Sequence, residues 1–151
     1  KLFREAARRA SETTAENALF NENLAALNAN DASGAAALIK EAAGSSRLRE
    51  SILFEQAHYA AKRMAPQAAE LLANFITLAE TPALKTQARL DQGEVALNLN
   101  PPDLETVQAI LPLLEKEQLS PEQTMQLARL NILEAESRQT GVSGRQRRLV
   151  L

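Results

Sequence analysis

The chain has 151 residues, carries a formal net charge of −2 and contains no cysteine. The near-neutral charge gives no overall attraction to nucleic acid or to an anionic membrane, and the lack of cysteine excludes disulfides and thiolate metal sites. Hydrophobic residues make up 45% of the chain but aromatic residues only 3%, and helix-forming residues dominate the remainder. The length suits one domain or a short repeat array, and we expect an all-α fold.

The first third of the chain contains the start and stop signals of two helices. Thr13 and Glu16 form a T-x-x-E capping box, which predicts a helix from residue 13 onwards. Asp31, an N-cap residue type, precedes a second helical pattern that Gly44 ends. These signals predict a helical hairpin over residues 13–44.

Similar signals predict a second hairpin over residues 46–80. Ser46 offers the N-cap of its first helix. Pro66 opens its second helix, because proline is tolerated at the first helical position. Thr81 and Pro82 combine a capping hydroxyl with such a proline and therefore begin the next hairpin.

Two consecutive prolines divide the third predicted hairpin, residues 81–118. Pro102 restricts Pro101 to an extended conformation, so one helix must end there and the next can begin at once. Asp103 suits the N-terminal end of that second helix. Pro112 lies inside it and removes one backbone hydrogen bond, which predicts a kink or an early end to the helix.

The fourth predicted hairpin covers residues 120–151. Ser120 begins it and forms a capping box with Gln123. Gly141 and Gly144 are interpreted as a helix end and a turn. Because the chain begins without a methionine and both its ends lie in helical patterns, we expect a fragment of a longer protein.

The helix before the two prolines is apolar on two sides, which predicts packing on both. One stripe consists of Leu84, Ala88, Val95 and Leu99, and the other of Ala83, Leu90, Gly93 and Leu97. The four hairpin starts are spaced by about 33, 35 and 39 residues, and such a period is typical of repeat arrays. Each unit of an array buries its apolar face only against its neighbours.

A helical hairpin that recurs near every 34 residues resembles the tetratricopeptide repeat. Ala35, Ile39 and Ala42 match the small–large–small spacing of the family's second helix, and Asp31 matches the acid at its turn. Ala57 and Gly93 match the small residue of its first helix. Leu19 stands where that family commonly has tryptophan, and the last interval is stretched, so the array is degenerate and related helical solenoids are the alternative. The resemblance implies an all-α, right-handed α-solenoid of about three full repeats plus half-repeats at both ends.

The sequence lacks the residue sets that catalysis needs. His58 is the only histidine, so most nucleophile–base and metal constellations are incomplete. Glu12, Glu16 and Glu22 are interpreted as caps and solvated carboxylates, and no glycine-rich phosphate loop is present. We therefore expect a chain that is not an enzyme and has no cofactor or metal site.

Two basic clusters lie near the ends of the chain: Arg4, Arg8 and Arg9, and Arg145, Arg147 and Arg148. Neither has interleaved aromatic residues that would stack on bases, so no nucleic-acid binding is expected. We interpret both as solvated faces or as contacts with neighbouring repeats, and an anionic partner is the alternative. No apolar run approaches the roughly 20 residues of a membrane-spanning helix, so no direct membrane insertion is expected.

In the tetratricopeptide family, the first helix of each hairpin lines a concave groove that holds a partner. The resemblance places nine residues of this chain on that face: Asn17, Asn28, His58, Lys62, Gln87, Glu94, Asn98, Glu134 and Arg138. They form a mixed polar row and not a set of basic carboxylate clamps. The alternative is that each is an ordinary solvent-facing helix residue.

These features predict a non-enzymatic protein–protein interaction scaffold. The Ala-, Gln-, Asn- and Leu-rich composition is similar to the periplasmic repeat regions of bacterial outer-membrane exopolysaccharide exporters. That similarity favours a periplasmic over a cytoplasmic location and a partner protein such as a polymer-modifying enzyme. The alternatives are a peptide- or effector-sensing regulatory domain of a cytoplasmic protein, and a polysaccharide-binding surface, which the few aromatic residues disfavour.

Overall fold

The structure is a computed structural model that describes the backbone of residues 12–149 and the side chains of residues 14–141. Within that range all regular secondary structure is helical, with no β-strand, which confirms the predicted all-α class. The helices are α1 (Glu12–Asn28), α2 (Ala32–Glu41), α3 (Ser46–Lys62), α4 (Ala68–Leu78), α5 (Pro82–Leu97), α6 (Leu104–Leu114) and α7 (Pro121–Leu149). A short 3₁₀ turn, Ala42–Gly44, follows α2.

The helices contact one another in a regular order. The odd-numbered helices touch in sequence, α1 with α3, α3 with α5, and α5 with α7. Each even-numbered helix touches the odd-numbered helix before it and the one after it. Every helix from α2 to α6 therefore packs between neighbours that are close to it in the chain.

Buried apolar residues form three clusters that follow one another along the chain. The first joins Ala42, Leu48 and Ile52 to partly buried residues of α1 and α2. The second is built by α3, α4 and α5, and the third by α5, α6 and α7. This succession explains why α5 needs two apolar faces: Ala88 and Val95 belong to the second cluster, and Leu90 to the third.

Most predicted helix starts are confirmed by the cap geometry. Asp31 accepts a hydrogen bond from the Gly34 amide at 2.9 Å, and Asp103 caps α6 in the same way. Ser120 and Gln123 exchange the two bonds of a capping box, at 3.1 and 3.2 Å. Thr81 is the N-cap residue of α5, with Pro82 as its first residue, but the predicted capping by its hydroxyl is wrong, because that hydroxyl donates to Glu50 and makes no capping hydrogen bond.

A side chain from a different helix binds the residues at the beginning of α5. Glu50 of α3 accepts hydrogen bonds from the Thr81 amide at 2.7 Å, the Thr81 hydroxyl at 2.9 Å and the Glu80 amide at 2.9 Å. Burial acts to raise the pKa of Glu50, but these bonds outweigh it and hold that pKa below its ordinary value. The Glu50 carboxylate thus ties the body of α3 to the beginning of α5.

Two turns share one backbone conformation, 34 residues apart. Asn30 ends α1 and Met64 ends α3, each in the left-handed region with φ of 55° and 48°. In both turns the amide of the next residue donates a hydrogen bond to a carbonyl five positions earlier. Asp31 donates to the Ala26 carbonyl, and Ala65 donates to the Ala60 carbonyl. This is the Schellman pattern of helix termination.

Several predicted boundaries are wrong. Ser45, and not Ser46, caps α3, because the 3₁₀ turn ends at Gly44 and leaves Ser45 in an extended conformation. Residue 12 is already helical, so Thr13 lies inside α1. The predicted stop at Gly141 and Gly144 is absent, since α7 continues through both glycines to Leu149.

The prolines and basic clusters have mixed outcomes. Pro66 precedes α4 by two residues, and Gln67 is the N-cap. Pro112 lies inside α6, which ends two residues later at Leu114. The first arginine cluster lies outside the described residues, as do the side chains of the second.

Candidate functional site

A polar cluster lies where α3, α5 and α7 meet. Its centre is Asp91 of α5, whose side chain is 2% exposed. His58 of α3 lies 2.5 Å from it, measured from Nδ1 to the Asp91 Oδ2 atom. Gln87, one turn earlier on α5, donates to the other carboxylate oxygen at 3.1 Å. Both oxygens of a carboxylate that is shielded from water are therefore satisfied, as burial of a charge requires.

Aromatic packing holds the imidazole in place. The His58 ring stacks on Phe54 at 5.3 Å between centroids and 16° between planes. Phe54 packs in turn against Phe75 of α4. The His58 side chain keeps 27% of its surface exposed, so the ring is fixed on one side and accessible to solvent on the other.

Asp91 controls the charge of His58. The hydrogen bond to Asp91 raises the pKa of His58, burial opposes that effect, and the negative charge of Asp91 adds to the rise. Lys62 on the same helix lowers the pKa and Glu55 raises it, both through smaller Coulombic effects. The net pKa lies above the ordinary value, so the structure favours an imidazolium paired with a carboxylate.

Glutamines extend the cluster from α5 to α7. Gln87 donates from Nε2 to Oε1 of Gln126 at 3.2 Å, and Gln123 donates to Oε1 of Gln87 at 3.0 Å. Both partners lie near the beginning of α7. Since their long side chains reach across the helix interface, one connected hydrogen-bond network joins α3, α5 and α7.

A second polar group lies further along α7. Glu134 is 2% exposed, accepts a hydrogen bond from Gln108 of α6 at 2.9 Å, and pairs with Arg138 at 2.5 Å. The Arg138 guanidinium and then the Gln108 amide lower the pKa of Glu134. The same pairing raises the pKa of Arg138. Glu134 is therefore a buried carboxylate whose charge is neutralised by its own helix.

The nine residues predicted to line a groove fall into three exposure classes. Five are exposed: Asn17, Asn28, Lys62, Asn98 and Arg138. His58, Gln87 and Glu94 are half-buried, and Glu134 is buried. The structure brings His58 and Gln87 together through Asp91, joins Glu134 to Arg138, and lets the Asn98 side chain donate to the Glu94 carbonyl at 2.8 Å. Partner binding by these residues remains a prediction.

Four residues that organise the site were not predicted from the sequence: Asp91, Gln108, Gln123 and Gln126. A signal for Asp91 was present, because it lies 33 residues after His58. Two other long-range bonds have the same separation, Gln56 to Asn23 at 3.0 Å and Arg63 to Asn30. In all three bonds, the partner of a polar residue lies 33 positions further along the chain, which is close to the repeat interval.

The cluster consists of polar side chains from three helices that are hydrogen-bonded to one another. Within the described residues, no group of three or more histidine, aspartate or glutamate side chains could hold a metal ion. None of the described helices combines the length and the apolar character that crossing a membrane requires. The site offers hydrogen-bond donors and acceptors in fixed positions.

Comparison of the chain with known proteins identifies no relative. No family model matches it, and neither a curated protein nor a solved structure is similar to it. The function must therefore be inferred from the residues and their contacts.

Proposed function

We propose that the chain is a non-enzymatic protein–protein interaction scaffold, built as a tetratricopeptide-like α-solenoid. The observation that carries the proposal is the order of helix contacts. Each odd-numbered helix touches the next odd-numbered helix, and each even-numbered helix is inserted between two of them. An array of stacked hairpins requires this order, because each unit covers the open face of the previous one.

Recurring bonds support the same interpretation. Asn23 with Gln56, Asn30 with Arg63, and His58 with Asp91 all join residues 33 positions apart. The Schellman turns that end α1 and α3 are related by almost the same interval. Equal separations are expected when one structural unit repeats along the chain.

The small residues that the resemblance singles out also favour stacking. Gly93 is buried, and a Cβ atom at that position would lie 3.0 Å from Cδ1 of Leu130 on α7. Ala57 is 1% exposed in the second apolar cluster. Small side chains at these positions let neighbouring helices approach closely.

The partner surface in this proposal is formed by α1, α3, α5 and α7, and the last three of these helices carry the polar network. Asn17, Lys62 and Asn98 are exposed there, while the half-buried His58 and Gln87 offer oriented groups. Binding sites of this kind combine pre-organised polar groups with exposed ones. We propose a partner protein, with a periplasmic role in bacterial exopolysaccharide secretion as the context that the composition favours.

A pull-down with a matched control tests the proposal. The chain is immobilised and exposed to envelope extract of the source organism, next to a variant with Asn17→Glu and Lys62→Glu. The control variant carries the same added charge on other helices and turns, through Ala73→Glu and Lys116→Glu. We expect one protein to be retained by the native chain and the control and lost from the groove variant. Retention of nothing, or equal retention by both variants, would contradict the proposal.

A further inference from the structure

A cleft of about 330 Å³ lies between α2 and α4 and over α3, and none of its lining residues belongs to the polar network. That volume is at the lower end of the range for ligand sites and suits one large side chain with its adjoining backbone. Residues of α1, α2, α3 and α4 line it, so it exists only where two hairpins meet.

Alanines keep this cleft open. Ala32, Ala35 and Ala36 form the α2 wall, Ala60 lies on the floor, and Leu71 contributes the opposite wall from α4. Larger residues at the alanine positions would fill the space that the two hairpins leave. The cleft therefore offers mainly apolar surface to whatever enters it, and burial of that surface favours an apolar occupant.

The polar groups at the mouth are not equally free to bind. Asp31 lines the cleft, but its carboxylate accepts the Gly34 amide at the N-terminus of α2, where the helix dipole offsets its charge. Arg63 lies with its guanidinium 4.8 Å from the centroid of the Tyr59 ring and bonds to Asn30, a neutral acceptor. Among the described residues, no carboxylate pairs with Arg63, and most of its five N–H donors remain for a ligand.

A second hollow of about 410 Å³ adjoins the cleft along α3 and shares the lining residues Gln56 and Leu71 with it. Arg49 and Leu53 continue the floor of that hollow toward the beginning of α3. Two adjoining hollows fit an elongated segment better than an isolated small molecule. The second hollow leaves room for residues on one side of the group that occupies the cleft.

We propose that the cleft binds one aliphatic or aromatic side chain of a partner protein, with an adjacent carboxylate paired to Arg63. The inference rests on the proposed scaffold function in taking a protein segment as the occupant. It places that contact on a surface separate from the polar row of α1, α3, α5 and α7. An apolar anchor in a pocket with a charge at its rim is the usual composition of an interface hot spot.

A fragment titration tests the chemistry without knowledge of the partner. N-acetyl-L-leucine, which has the side chain and the carboxylate, is titrated into the ¹⁵N-labelled full chain, with N-acetyl-L-leucinamide as its neutral counterpart. We expect saturable amide shifts around Ala36, Tyr59 and Arg63 with a low-millimolar Kd, as is usual for fragments of this size. The carboxylate should bind about three- to tenfold more tightly than the amide, since the ion pair is partly exposed.

Three variants make the test specific. Ala36→Leu should abolish the binding of both fragments, because its side chain fills the cleft. Ala73→Leu is the matched control on the exposed face of α4, outside the cleft lining, and should bind both normally. Arg63→Gln should remove the preference for the carboxylate and keep the binding of the amide.

Absence of shifts around the cleft, or binding that survives Ala36→Leu in a chain that remains folded by circular dichroism, would overturn the site. Equal affinity for the two fragments would overturn the role of Arg63. Either of these two results would leave the proposed scaffold function intact if the variant with Asn17→Glu and Lys62→Glu still loses its partner in the pull-down. Failure of the pull-down together with a positive titration would instead leave the cleft without its assumed protein ligand.

Discussion

The pair formed by the half-buried His58 and the buried Asp91 leads to a prediction that can be quantified. Asp91→Asn keeps the shape of the side chain and retains an oxygen that can accept from Gln87, but it removes the negative charge beside His58. The protonated His58 then has a neutral partner in place of a carboxylate. The variant should therefore be less stable than the native chain wherever the imidazole is charged.

The size of the loss follows from the geometry of the pair. A hydrogen bond to a charged group contributes about 1.5–3 kcal/mol to stability. Because 27% of the His58 side chain is exposed, water replaces part of the interaction, and the lower half of that range is expected. Asp91→Asn should thus reduce the free energy of unfolding by about 1.5–2 kcal/mol near pH 6.

The pH dependence has a definite sign. The pKa of His58 is higher in the folded chain than its ordinary value of about 6.5. The stabilisation from its charged form is therefore complete below pH 6.5 and is lost as pH rises through the folded pKa. The gap between native and variant stability should shrink over that window, because a deprotonated His58 gains less from the carboxylate.

An NMR titration and urea unfolding give two independent measures of the effect of Asp91 on His58. His58 is the only histidine, so its ring protons give a single NMR titration whose midpoint reports the folded pKa. Urea unfolding between pH 6 and 9 should show a native-minus-variant difference that falls by about 1.4 kcal/mol for each unit of difference between the native and variant midpoints. Asp103→Asn, which removes a capping carboxylate far from any histidine, should leave the slope unchanged. An Asp91→Asn chain with the native midpoint and the native slope would refute the ion pair.

Four further substitutions test the packing. Glu50→Ala should cost about 1 kcal/mol in urea unfolding at pH 7 through the lost cap at Thr81; because the folded pKa of Glu50 is lowered, this loss should vanish as pH falls through that pKa. Leu130→Ala, at a residue 1% exposed, should cost about 2–5 kcal/mol, whereas Ile132→Ala, at 59% exposure, should stay within about 0.5 kcal/mol. Gly141→Ala should raise stability by up to about 1 kcal/mol if α7 continues through it; a destabilised variant would restore the predicted helix end.

The sequence was sufficient for features that depend on a few adjacent residues. The capping box of Ser120 and Gln123 and the caps at Asp31 and Asp103 are local hydrogen bonds, and their residue types already state the geometry. Pro82 marks the start of α5 for a similar reason. Fold class followed from these boundaries because little else in the composition competes with helix.

Features that depend on contacts across the chain could not be read in this way. Ser45 and Ser46 are chemically equal, and only the preceding 3₁₀ turn decides which one caps α3. Gly141 resembles a helix stop by residue type, yet a glycine inside a helix costs only about 1 kcal/mol and flanking residues can compensate. Asp91 is buried by contacts between helices, and no residue adjacent to it in the sequence distinguishes it from a surface carboxylate.

The polar pair also bears on how the helices choose their register. Six of the ten buried residues in the second apolar cluster are alanines, and small side chains interlock weakly, so α5 could slide along α3 with little loss of apolar contact. A slide would leave Asp91 buried without His58, which costs several kcal/mol. Polar pairs can therefore define alignment where apolar packing does not.

An apolar double variant separates alignment from stability. His58→Leu with Asp91→Val should unfold with a free energy within about 1 kcal/mol of the native value, because replacing both members of a buried pair is often neutral. Its amide NMR signals in α3 and α5 should nevertheless broaden, since the two helices would sample more than one register. If the signals of the double variant are as sharp as those of the native chain, the alanine-rich interface alone fixes the register of α5 on α3. The pair of His58 and Asp91 would then have no role in that register.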